Sequence, residues 1–100
     1  MAEACFTPAA ARDVRVAIAG IAAESPATAR ALRNGIKTAG RRIGTDPDSG
    51  LLDPSLADAP IRFLALTGFA YVLVYDAQAS PALILRMLHG ARDLPELFAP

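Results

Sequence analysis

Residues 61–89 read IRFLALTGFAYVLVYDAQASPALILRMLH. Ile61 to Leu66 and Phe69 to Tyr75 are leucine-rich, β-branched and aromatic runs divided by Thr67-Gly68, which predicts a hairpin. After a turn from Asp76 to Pro81, Ala82 to Leu88 predicts a third strand. Phe69 to Tyr75 has almost no polar position at either parity. It therefore reads as a central strand covered on both sides, by helices on one and by an expected partner on the other.

Upstream of this stretch the hydrophobic period is that of helices. Thr7-Pro8 is a start signal, a hydroxyl that caps followed by a proline suited to the first turn. Val14, Ala17, Ile18, Ile21 and Ala22 then fall on one face, which predicts a helix ending near Glu24. Ser25-Pro26 repeats the signal, and Ala29, Leu32, Ile36, Ala39 and Ile43 give the second helix its apolar face, with Gly44 as the expected terminator. Gly35 and Gly40 each cost that helix ~1 kcal/mol relative to alanine unless close packing needs the missing side chain. The short break between the helices predicts an antiparallel hairpin facing one core. Residues 45–60 hold three prolines, four aspartates and Gly50, a turn-forming composition that predicts a surface loop. Met1 to Phe6 offers at most a weak first strand. The expected fold is α+β over residues 1–100 as a single domain: a helical hairpin packed on a small, mainly antiparallel sheet in the order β-α-α-β-β-β.

A chain of 100 residues with 53% apolar content is large enough for one core. It is also small enough for a bound partner to add a large share of its stability. The net charge is zero, so no global positive field marks a nucleic-acid binder, and direct sequence-specific nucleic-acid binding is not expected. Charge is nevertheless divided along the chain. Arg12, Arg15, Arg30, Arg33, Lys37, Arg41 and Arg42 face only Asp13 and Glu24, whereas downstream the acids outweigh Arg62, Arg86 and Arg92. Arg30, Arg33, Lys37 and Arg41 are spaced to form a basic stripe roughly opposite Leu32, Ile36 and Ile43. Such a stripe is either a solvated helix face or an electrostatic docking surface.

Cys5 is the only cysteine, so no intramolecular disulfide or cysteine metal cluster forms. Asp76 and Arg86 interrupt the most apolar stretch before it reaches the ~20 residues that span a bilayer. The amino terminus lacks the basic-then-apolar order of a signal peptide. A cytoplasmic protein without membrane contact is the expectation. No glycine-rich phosphate loop, metal-ligand spacing or serine nucleophile elbow occurs, and no cofactor is expected.

The segment Leu85-Arg86-Met87-Leu88-His89-Gly90-Ala91-Arg92-Asp93-Leu94 closely resembles the carboxyl-terminal motif of ParE-type toxins in the ParE/RelE superfamily. Val74-Tyr75-Asp76 matches the tyrosine-bearing strand before it. Ala11-Arg12-Asp13-Val14 after Thr7-Pro8, Glu24-Ser25-Pro26, and Asp46-Pro47 with Gly50 match the family's helices and loop in order.

The resemblance implies the toxin of a type II toxin–antitoxin pair and leaves two mechanisms to weigh. RelE-like members cut ribosome-bound mRNA, which needs a base, an acid and cations for the developing phosphorane charge. Phe63 and Ala65 stand where those members often carry lysine, Val72 where they carry arginine, and Phe98 near their catalytic tyrosine. What remains for an endonuclease is Arg62, Arg86, His89 and Arg92. ParE members are not nucleases and, by the same resemblance, bind and poison DNA gyrase. Arg62, Arg86, His89, Arg92 and Asp93 then become target-binding residues, with strand capping and mutual pairing as the structural alternative. The stripe of Arg30, Arg33, Lys37 and Arg41 would face gyrase-bound DNA or an acidic antitoxin arm. The implied partner is a ParD-like antitoxin in an assembly of two toxins and two antitoxins. A toxin-like protein that has lost activity and serves its antitoxin as a corepressor is the third reading.

Overall fold

The computed structural model describes residues 3–90 together with Arg92 and Asp93. Strand β1 (Cys5–Phe6) leads into helix α1 (Pro8–Glu24), helix α2 (Pro26–Thr45), a 3₁₀ turn at Pro47–Ser49, and strands β2 (Ile61–Ala65), β3 (Tyr71–Asp76) and β4 (Leu83–His89). The sheet order is β1-β4-β3-β2, parallel between β1 and β4 and antiparallel elsewhere. This is the α+β arrangement expected from the sequence. The weak amino-terminal strand does pair, Cys5 with Leu83 and Phe6 with Ile84.

Both helix starts form as their sequences require. The Thr7 hydroxyl accepts from Ala10 N–H and the Ser25 hydroxyl from Thr28 N–H, each with proline in the first turn. The second helix runs one residue past Gly44, ending on Thr45 with Asp46 as its cap. The hairpin between β2 and β3 is longer than Thr67-Gly68 alone: the strands stop at Ala65 and resume at Tyr71, and Gly68 supplies the positive φ of 83° that the turn needs.

The core lies between the helical hairpin and one sheet face, where Leu32, Ile43, Leu73, Tyr75 and Ile84 are fully buried. The opposite face of β3 is covered by the chain itself. Phe63, Val74 and Leu88 form a second cluster there, closed by Leu56 and Ala57 of the loop after α2. The expected partner is thus not what buries that part of the strand. A Cβ at Gly40 would meet Phe6 of β1 at 3.8 Å and one at Gly35 would meet Phe69 at 3.9 Å, both ordinary contacts, so packing does not require glycine at either position.

Candidate functional site

β1 covers only the first part of β4. Beyond Ile84 no strand among the described residues lies beside the outer edge of β4, and side chains occupy its polar groups instead. The Thr7 hydroxyl donates to Leu85 C=O at 2.8 Å, Asp13 Oδ2 accepts from Met87 N–H at 3.0 Å, and Asp93 Oδ2 accepts from His89 N–H at 2.8 Å. An open edge invites pairing with another chain, and these three side chains close it.

Arg86 belongs to the same system. Its Nε donates to Asp13 Oδ2 at 2.7 Å and its second nitrogen to Asp13 Oδ1 at 3.0 Å, a two-pronged pair joining β4 to α1. The Asp13 bond is the main cause of a guanidinium held above its usual value. Asp13 is 18% exposed and Arg86 40%, so this pair is more sheltered than an ordinary surface ion pair.

The carboxyl-terminal motif continues from β4 into a helical turn that includes Gly90, Arg92 and Asp93. Gly90 N–H donates to Ala70 C=O at 2.8 Å, and a Cβ at Gly90 would sit 3.3 Å from Val72. A side chain there would crowd the start of β3. Arg92 N–H donates to His89 Nδ1 at 3.3 Å, and Arg92 Nε to Asp93 Oδ1 at 3.2 Å. The Asp93 carboxyl is held below the usual range chiefly by the His89 N–H, with Arg92 assisting and partial burial opposing. The His89 ring stands edge-on to Tyr71 with centroids 5.7 Å apart.

His89, Arg92 and Asp93 therefore gather at the end of β4, with Arg86 at the middle of that strand and close enough for Asp93 to act on its charge. Arg62 is apart from them, on the edge strand β2. Its guanidinium donates to Gly50 C=O at 2.9 Å and pairs with Asp48 at 3.4 Å, fastening the loop to the strand. Tyr75 works on the same loop from inside the core: its hydroxyl accepts from Gly50 N–H at 2.8 Å and donates to Pro47 C=O. A Cβ at Gly50 would lie 2.6 Å from that hydroxyl.

The basic stripe belongs to α2. Arg30, Arg33, Lys37 and Arg41 are all exposed. Arg41 pairs with Glu3 at 3.2 Å, whereas Arg30, Arg33 and Lys37 pair with no acid among the described residues. Arg33 and Lys37, joined by Arg15 of α1, rim an apolar groove of about 340 Å³ floored by Phe6, Val14, Ile18 and Ile36. No role for Arg15 or Asp13 is legible in the sequence. Arg15 shows itself only once the two helices are paired, and the partners of Asp13 lie 73 and 74 residues away.

The positions singled out for their lack of nuclease chemistry share a sheet region. Phe63 pairs across strands with Val74, Ala65 with Val72, and Val72 with Leu88. Phe98 lies outside the described residues. No group of His, Cys, Asp and Glu able to hold a metal, and no helix long and apolar enough to cross a membrane, occurs among the described residues.

The family model for the ParE toxin of type II toxin-antitoxin system, parDE, matches residues 5–94. A solved structure described as a chromosomal ParDE toxin–antitoxin system from P. aeruginosa is similar in fold, with a TM-score of 0.71 at 19% identity. The match covers 89% of this chain and 96% of that one. No curated protein sequence matches.

Proposed function

The chain belongs to the ParE toxin family of type II toxin–antitoxin systems, and on that premise we propose that it arrests growth by poisoning DNA gyrase in the cytoplasm. The observation that supports gyrase over mRNA is the apolar region built from Phe63, Ala65, Val72, Val74 and Leu88. RNA cleavage needs cations and proton-transfer groups beside the scissile phosphate, and these side chains supply neither.

The remaining polar candidates are engaged within the chain. Arg86 holds Asp13, Arg62 holds the Gly50 loop, and His89 Nδ1 receives Arg92 N–H. An imidazole whose Nδ1 is occupied offers one nitrogen for further work. The Arg92 side chain, 68% exposed and paired among the described residues only with its neighbour Asp93, is the most available cation of the motif for a target.

Neutralisation is assigned to a ParD-like antitoxin whose acidic, amphipathic arm folds on the toxin, in an assembly of two toxins and two antitoxins. The groove between α1 and α2 suits such an arm: an apolar floor for one helix face, and Arg15, Arg33 and Lys37 at the rim for its acids. Expression from a tight promoter tests the reading. Growth should stop with induction of the DNA-damage response while mRNA remains intact, and co-expression of the antitoxin should restore colonies. Unimpaired growth with soluble protein present would instead support an inactive homologue serving as a corepressor.

A further inference from the structure

We propose that His89 is the N-cap of the helical turn carrying Arg92, and that this cap opens when the imidazole takes up a proton. Two reciprocal hydrogen bonds define it. Arg92 N–H, three residues on, donates to His89 Nδ1 at 3.3 Å, and His89 N–H donates back to Asp93 Oδ2 at 2.8 Å. This is the pattern of a capping box, with the acid one position later than usual and a ring nitrogen in place of a hydroxyl oxygen. The usual caps, Ser, Thr, Asn and Asp, keep their acceptor near neutral pH. Imidazole accepts at Nδ1 only while its single proton is on Nε2, and the imidazolium accepts nowhere. Histidine is also the side chain whose ordinary titration falls between pH 5 and 8.

The groups around the ring decide what protonation does. Tyr71 of β3 meets it edge-on, and Arg92 and Asp93 belong to its own segment. From α1, Arg12 and Asp13 line the depression that also contains Tyr71, Arg92 and Asp93, with Asp13 already paired to Arg86 of β4. Asp93 attracts an imidazolium, but its oxygens are bonded to His89 N–H and Arg92 Nε. That attraction keeps the ring nearby without returning an acceptor to Arg92 N–H. The added positive charge also opposes the dipole at the start of the turn. Protonation therefore releases the Arg92 backbone and leaves the Asp93 bond to His89 in place. Placement of the Arg92 side chain thereby becomes sensitive to pH.

Nitrogen-15 NMR of the full chain tests this, following the ring and the Arg92 amide through one titration. The neutral ring should carry its proton on Nε2. As the ring protonates, Arg92 amide exchange, corrected for the intrinsic pH effect, should accelerate roughly 5-fold, the loss expected for one cap, while His89 N–H is unchanged. His89→Asn should keep Arg92 protected over the same range, and His89→Ala should leave it unprotected throughout. A neutral ring protonated on Nδ1, or an Arg92 amide indifferent to the ring's titration, would overturn the proposal.

Discussion

Asp13 grips Arg86 with both carboxylate oxygens and takes a third hydrogen bond from Met87 N–H, fastening α1 to β4 where no strand among the described residues covers the edge. Arg86→Ala removes two of these bonds and leaves a largely sheltered carboxylate. Chemical denaturation should show a loss of about 1–3 kcal/mol. Asp13→Ala also strips Met87 N–H of its acceptor and should cost more. Arg86→Lys, which keeps the charge without the fork, should fall between wild type and alanine. An Arg86→Ala variant as stable as wild type would show that the pair contributes nothing to the fold.

Gly50 is required for space. Its Cβ would lie 2.6 Å from the Tyr75 hydroxyl and 3.0 Å from Phe63 C=O. Gly50→Ala should cost about 1–3 kcal/mol by forcing the loop away from the sheet. Tyr75→Phe, which removes the hydroxyl and leaves Gly50 N–H and Pro47 C=O without it, should cost a similar amount. Urea midpoints of the two variants and of their combination check this, and the double variant should be less than additive because both act on one contact.

Much of the fold was legible because its signals are local. Two hydroxyl-proline pairs start the helices, and the change from helical to strand periodicity at Ile61 marks the sheet. The hairpin at Gly68 read too short because Leu66, Phe69 and Ala70 look like strand residues yet form the turn. The carboxyl-terminal motif was legible as a resemblance, but its internal bonds were not. Asp13 and Arg86 are joined across 73 positions, and no periodicity or composition links such residues. The basic stripe was visible as spacing, while the groove it borders exists only once α1 and α2 pair.

Asp93 gives stability an acid-side dependence. Its carboxyl is held below the usual range in the folded chain by the His89 N–H, so the folded state stays ionised where the unfolded chain takes up a proton. The contribution is complete above the unfolded value of about 3.9. It is lost as the pH falls through the folded value. Urea midpoints measured downward from pH 6 should decline less steeply for Asp93→Asn than for wild type, and parallel curves would remove Asp93 from the account.

Reversing the rim of the groove should separate the antitoxin from the target. Arg33→Glu with Lys37→Glu changes two exposed side chains that pair with no acid among the described residues, so folding should be preserved. Antitoxin affinity by calorimetry should fall at least about 10-fold, with a shallower dependence on salt. Unaltered affinity would place the antitoxin elsewhere.

Purified gyrase tests the central claim most directly. Added to a supercoiling reaction, the toxin should suppress supercoiling and build up linear DNA, and prior addition of the antitoxin should abolish both effects. Arg92→Ala, which leaves the backbone capping bonds in place, should weaken the inhibition by about 10-fold through loss of one charge-assisted contact. Full gyrase activity at a large molar excess of toxin, together with codon-dependent cuts in mRNA on purified ribosomes, would contradict the account.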